Sequence, residues 1–379
     1  MFRRQGKKTI KKKNDPNSLE FVLSEHKSLT LYFPSFSYRQ RKMSKLKVGV
    51  IGLGIQGETQ VKAFKSIPNV EVLAVCDSNQ ERLKLIKEEY KVQKAYANYL
   101  DLVNDKEIDL VSVCTPDFMH YEFVMAALRS GKHTIVEKPM ATSTKEAEDM
   151  VSESKRRGVY LMVNFSNRWS PAFRIAKDSI EKGEIGEILH AYSRLNDTIY
   201  VPTSMIKWAS KTNTLWFLGS HVIDLLLWYF KDEVEEVYGK KVSKLLVKKG
   251  ISTADAYLAM LQFKNGGVAL LENSWVLPLG EPFIVDFKMD LVGEKGAIKI
   301  DRSHHGMIKK ITNERYEMPD VLRNIDEDTI TFVRDGLKAL VDAVQSDKTP
   351  PVTGEDGLKV TRIVESIIES SEKNAPVKV

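Results

Sequence analysis

Cysteine is scarce in this 379-residue chain: Cys76 and Cys114 are the only two. Both close Val-rich runs, "VLAVC" and "LVSVC", that read as buried strands, and neither stands in a CxxC pair. That argues against a disulfide-stapled secreted framework and points to a reduced, cytoplasmic protein. Long apolar runs are lacking as well. No window of about 18 uncharged apolar residues occurs, so no transmembrane helix is expected. No apolar stretch of about 7–15 residues follows the first arginines, because "LTLYF" is short and Pro34 interrupts it, so no secretory signal is expected. Internal repeats and low-complexity tracts are missing too. Histidines number only seven; His304 and His305 in "DRSHHGM" form a loop pair without further assignable ligands, and no metal is expected.

Positive charge is confined to one end. The chain carries 57 basic and 51 acidic residues, net +6; residues 1–42 hold 11 and 3 of these, net +8, leaving 46 and 48, net −2, elsewhere. The body is therefore not basic, and neither a nucleic-acid nor a membrane partner is expected. Residues 1–42 show no sustained helical or strand period and read as a disordered extension, or as sequence ahead of a start at Met43; a polyanion-binding arm is the alternative reading. At 42% hydrophobic, the rest is long enough for two domains or one large one.

From Lys45 to Phe165, short β-branched runs alternate with amphipathic stretches, the form of repeated βαβ units on a parallel sheet. Helices are expected over 56–65, 79–90, 99–104, 120–129 and 144–157, the last opened by the capping-box pattern "STKE". Beyond a helix starting near Pro171, long alternating runs replace this pattern, and "FKNGGVAL" signals a hairpin. Two helices, 328–345 and 356–373, close the chain. The expected architecture is an α/β Rossmann domain over 43–165 followed by an α+β domain over 166–379 with a large, mainly antiparallel sheet.

"VGVIGLGIQG" places Gly52, Gly54 and Gly57 in GxGxxG spacing after a strand, with Ile55 and Gln56 opening a helix. Gly52 permits the tight turn, Gly54 lets backbone approach a pyrophosphate, and Gly57 lets helix and strand pack closely. Asp77 ends the second strand 20 positions after Gly57, where a carboxylate can accept hydrogen bonds from ribose hydroxyls. It also repels a 2′-phosphate, which favours NAD over NADP.

The segment "VCTPDFMHYEFVMAALRSGKHTIVEKPMA" resembles the glucose-fructose oxidoreductase, inositol dehydrogenase and rhizopine-catabolism (Gfo/Idh/MocA) family. The resemblance runs from about Lys47 to the C-terminus. It implies a nicotinamide-dependent oxidoreductase acting on a sugar or polyol, with Lys138 of "EKP" beside the nicotinamide, Glu137 before it, and a cis bond from Lys138 to Pro139. Thr115, Pro116 and His120 match a stretch that lines the cofactor in relatives; His120 reads equally as packing or capping its helix. Arg168 matches a substrate-side arginine, with a surface ion pair as the competing reading.

In "WFLGSHVIDLLLW", read as one helix, Phe217, His221, Asp224 and Trp228 share a stripe. Asp224 can then hydrogen-bond His221, fixing its tautomer and making its other nitrogen a better base. From the residues alone this is a satisfied core pair. The resemblance instead implies that His221 faces the substrate and takes the hydroxyl proton while Lys138 stabilises the alkoxide. Phe217 departs from the aspartate that many relatives carry, which puts the usual polyol specificity in doubt and favours a modified or partly apolar sugar. Two other readings stay open: a cofactor-binding regulator, and an NAD-dependent glycosidase. Relatives use the second domain's sheet for dimers and tetramers, and the same is expected here.

Overall fold

The computed structural model describes residues 45–302, 308–312, 316–317 and 325–379, with the backbone alone at 325–330. The extension over 1–42 and the pair His304 and His305 lie outside the described residues. Six parallel strands form the first sheet: β1 (Leu46–Ile51), β2 (Val70–Cys76), β3 (Lys94–Tyr96), β4 (Leu110–Val113), β5 (His133–Val136) and β6 (Leu161–Val163). Their spatial order is β3-β2-β1-β4-β5-β6. The central strands are almost continuously apolar and buried because helices cover both faces. Those helices are α1 (Ile55–Lys65), α2 (Gln80–Glu89), α3 (Tyr99–Asn104), α4 (His120–Arg129) and α5 (Thr144–Arg157). Strand order reverses between β1 and β4, which opens a crevice beyond their carboxyl ends.

The second half adds α6 (Pro171–Glu181), β7 (Ile188–Thr198), α7 (Ser220–Phe230), β8 (Val234–Val242), α8 (Leu245–Lys248), β9 (Ala256–Phe263), β10 (Val268–Leu277), β11 (Val285–Gly293), β12 (Gly296–Asp301), β13 (Ile308–Thr312), β14 (Tyr316–Glu317), α9 (Ile325–Ser346), α10 (Gly354–Lys373) and β15 (Val377–Lys378). Among the described residues its sheet runs β14-β13-β12-β11-β7-β10-β9-β8-β15, antiparallel except where β7 meets β10. The predicted hairpin joins β9 to β10; Gly266 takes φ +92°, and the Asn265 side chain accepts from Gly267 N at 3.0 Å. Alternation sorts this sheet into a buried face, with Tyr257, Leu261 and Leu271, and an outer face exposing Leu258, Met260 and Leu270.

Two local expectations are corrected. "WFLGSHVIDLLLW" is not one helix: a π-helical turn, Leu215–Gly219, precedes α7. The Asn213 side chain accepts from Leu215 N and Trp216 N, and Gly219 presses so close to β10 that a Cβ there would lie 2.9 Å from Asn273 Oδ1. The wider turn takes Phe217 out of the regular four-residue register with His221. The expected capping box of α5 is also not made, since Ser143 makes no capping hydrogen bond. Glu365 of α10 instead accepts from Thr144 N at 3.1 Å. A capping box does open α10, between Thr353 and Asp356. Both closing helices pack back on the first half, α9 on α1 and α10 on α5 and β6.

Candidate active site

Glycine chemistry shapes the crevice. A Cβ on Gly57 would lie 1.8 Å from Gly52 O, and one on Gly52 would meet the Cys114 carbonyl carbon at 2.8 Å and Thr115 N at 2.9 Å. Gly54 faces open space, with nothing within 4 Å of an added Cβ, at the N-terminus of α1. Ile55 and Gln56 are exposed on the same turn. Asp77 directly follows β2 and accepts from Leu53 N at 2.7 Å and Asn79 N at 2.8 Å, which holds its carboxylate beside the glycine loop. Arg82, the nearby cation, is committed elsewhere: its Nε donates to Leu53 O at 2.6 Å and its Nη2 pairs with Glu58.

Lys138 follows β5, and the Lys138–Pro139 bond is cis. Its half-buried ammonium crosses to the second domain, donating to Phe217 O at 2.8 Å and standing 4.4 Å from the Phe217 ring centroid. Burial lowers its pKa, an effect that Glu137, Asp117 and Asp197 oppose. The Phe217 ring in turn meets Trp275 edge-on, with centroids 5.6 Å apart. Cleft wall and sheet are thus packed through one aromatic pair.

His221, at the start of α7, is half-buried and within the electrostatic reach of Lys138 and Arg302. Burial, then these two cations, push its pKa well below the ordinary value, so the ring is neutral. Its Nδ1 lies 3.2 Å from Asn167 Nδ2, while Asn167 Oδ1 accepts from Arg302 Nη1 at 3.3 Å. A guanidinium only donates, so Arg302 assigns the orientation of the Asn167 amide. Asn167 therefore donates to Nδ1, and the ring proton sits on Nε2.

This corrects the expected His221–Asp224 pair. Asp224 is buried and turned the other way, gripped by Arg168 through Nη2–Oδ1 at 2.6 Å and Nε–Oδ2 at 3.0 Å. Arg168 is correspondingly no substrate-side group: it is 7% exposed, and its remaining reach goes to Asp356 at 3.3 Å. A buried carboxylate and guanidinium need each other more than either needs a ligand. His120 is buried as well, set between two crevice loops with Nδ1 2.7 Å from Pro139 O and Nε2 2.9 Å from Thr115 O. Glu137, buried, accepts from Gln60 at 2.5 Å and Asn164 at 2.7 Å inside the first domain.

Residues 46–165 match the family described as "Oxidoreductase family, NAD-binding Rossmann fold", and residues 177–379 match "Oxidoreductase family, C-terminal alpha/beta domain". The chain belongs to the Gfo/Idh/MocA oxidoreductase family. Its first half is the family's NAD-binding domain. The chain is 28% identical to myo-inositol 2-dehydrogenase of Thermotoga maritima, over 88% of this chain and 98% of that protein. It is 25% identical to scyllo-inositol 2-dehydrogenase (NADP(+)) IolW of Bacillus subtilis, over 89% and 97%. The solved scyllo-inositol dehydrogenase of Lactobacillus casei, with bound NAD(H) and scyllo-inositol, shares the fold at a TM-score of 0.76 and 22% identity, over 88% of this chain and 99% of that one.

The residues present fit a dinucleotide. The cradle is open only at Gly54, the Asp77 carboxylate stands beside it, and Thr115 Oγ1 is buried without a hydrogen-bond partner among the described residues. Among them, too, no cluster of three or more His, Cys, Asp or Glu could hold a metal ion.

Sequence reasoning missed three residues here: Asn167, Asp197 and Arg302. Asn167 adjoins Arg168, whose charge is the stronger sequence signal. Asp197 carried a readable signal, since it follows Ala191, Ser193 and Leu195 in period two on the inward face of β7. An acid on the apolar side of an alternating strand calls for an explanation.

Proposed function

We propose that this protein is an NAD-dependent dehydrogenase that moves hydride reversibly between nicotinamide and a secondary or anomeric hydroxyl of a sugar, polyol or sugar derivative. One observation carries the reading: Lys138, from the loop after β5 of the NAD-binding domain, donates to Phe217 O of the second domain within electrostatic reach of His221. NAD, when bound, supplies the hydride acceptor. Lys138 offers a cation to the developing alkoxide, in a cleft where low dielectric strengthens that attraction. His221 offers Nε2–H to the same oxygen or to a neighbouring hydroxyl. Gly52, Gly54 and Gly57 admit the pyrophosphate, Asp77 receives the ribose, and Thr115 and Pro116 line the approach to the ring. Asp77, together with an Arg82 already paired to Glu58, favours NAD over NADP.

Phe217 gives the cleft an apolar wall, which suits a sugar derivative with an apolar face better than a fully hydroxylated ring. The inositol dehydrogenases among the relatives support the polyol and sugar class. Exposed Leu258, Met260 and Leu270, with Tyr192 beside them, support assembly into a homodimer or homotetramer through the outer face of the second sheet. Two buried, free cysteines support a cytoplasmic setting, and no helix among the described residues is long and apolar enough to cross a membrane.

The test is a panel of sugars and polyols incubated with NAD. Net NADH formation is the expected result. Release of a sugar without net NADH would move the assignment to an NAD-dependent glycosidase, and cofactor binding without either to a regulator. His221→Ala should then lower turnover while leaving NAD affinity unchanged.

A further inference from the structure

The Nε2–H tautomer of His221 raises a question that the hydride reaction must answer: where the hydroxyl proton goes. To accept it, a neutral imidazole needs a bare nitrogen facing the substrate. Here the bare nitrogen is Nδ1, and it is occupied by the Asn167 amide. Lys138 directs its ammonium to Phe217 O, and Glu137, Asp117 and Asp197 oppose the lowering of its pKa by burial.

The carboxylates around the cleft narrow the choice. Glu137 is bonded to Gln60 and Asn164, Asp117 to Thr212 and Phe118 N, and Asp224 to Arg168. Asp197 differs. It sits on the inward face of β7, 2% exposed, and among the described residues no hydrogen bond to its carboxylate reaches ordinary geometry. The buried indole N–H of Trp275 approaches it without closing such a bond, and is itself unpartnered among the described residues. Trp275 packs on Phe217, and Phe217 carries Lys138 on its ring, so acid, indole, phenyl ring and ammonium form one continuous wall.

We infer that Asp197 is the catalytic carboxylate that takes the hydroxyl proton, while His221 serves as a hydrogen-bond donor. This rests on the reading of the site as a hydroxyl-oxidising one. In the forward direction the O–H bond breaks and its proton passes to an Asp197 oxygen, directly or through one water. The carbon-bound hydrogen leaves with its electron pair to the oxidised nicotinamide, and the C=O bond forms. The return reaction runs the same transfers backward. Burial raises the Asp197 pKa to about 7, a rise that Lys138 opposes, and this suits a group that must both accept and release a proton near neutrality. The charged and polar groups set toward it are Lys138 from the loop after β5 and Trp275 from β10.

Two measurements on the full chain with NAD need no turnover. Nitrogen-15 NMR of the histidines, assigned with His221→Gln, should show His221 neutral with its proton on Nε2 from pH 6 to 8. The infrared band of a protonated carboxyl that is missing in Asp197→Asn should titrate near pH 7 in the unaltered protein. A His221 that carries its proton on Nδ1 or becomes imidazolium in that range overturns the inference, as does an Asp197 already ionised at pH 5. With a substrate from the sugar panel, Asp197→Asn should lower kcat about 10²- to 10⁴-fold and remove the rise of the pH profile near 7, with Asp197→Glu restoring part of both. An unchanged profile in Asp197→Asn removes Asp197 from proton transfer. If the panel yields no substrate, the dehydrogenase reading fails, while the two spectra still decide how His221 and Asp197 hold their protons.

Discussion

Arg168 and Asp224 form a two-pronged ion pair in the interior of the second domain, with the guanidinium 9% exposed and the carboxylate 1%. The pair joins the turn after β6 to α7 and, through Asp356, to the start of α10. Arg168→Met should leave Asp224 buried and alone, lowering stability by about 3–5 kcal/mol in urea unfolding. NAD affinity of the molecules that remain folded should not change, since neither charge faces the glycine cradle.

The glycines separate two kinds of damage. Gly57→Ala drives a methyl into Gly52 O and should cost both folding and cofactor binding. Gly54→Ala meets no protein atom, so its melting temperature should match that of the unaltered protein while its dissociation constant for NAD rises. Calorimetric melting and fluorescence titration, run side by side, distinguish the two outcomes.

Cofactor choice depends on where Arg82 is held. Asp77→Ala removes a repulsive charge, and Glu58→Gln loosens the grip on the Arg82 guanidinium. Together they should raise the affinity for NADP relative to NAD at least about tenfold, equivalent to ~1.4 kcal/mol. A ratio of dissociation constants that stays flat would place the discrimination elsewhere.

Asp197 also predicts a pH dependence of stability that needs no substrate. Its folded pKa, about 7, lies above the unfolded value of about 3.9. The folded protein therefore holds a proton that the unfolded chain releases between these values. Stability from this group is complete at low pH and is lost as pH rises through 7. Asp197→Asn escapes the loss, so relative to the unaltered protein it should gain on the order of 4 kcal/mol at pH 8 and little at pH 4. Chemical denaturation at both pH values measures the difference.

What could be read beforehand was whatever depends on neighbours in sequence. Strand, glycine loop and helix follow one another around Gly52, Gly54 and Gly57, and the acid at Asp77 directly follows the adjacent strand, so local order was enough. The lysine of "EKP" was equally legible, because a strand end opens on the crevice. Pairings across the fold were not. Helical spacing pairs Asp224 with His221, but Arg168, 56 residues away, is the stronger partner for a buried acid. The π-helical turn then removed the regular spacing on which the stripe through Phe217 depended. Asn167 carries no charge to mark it in sequence, yet an amide, which both donates and accepts, is what can link Arg302 to a ring nitrogen.

Glu365 caps α5 across 221 residues of chain. On the ribosome, the NAD-binding half emerges before α10, so one end of its fifth helix waits for a side chain made 221 residues later. Its sheet can form early; the completed helix layer cannot. Loss of Glu365, or of the α10 turn that carries it, therefore reaches back into the half that handles the cofactor.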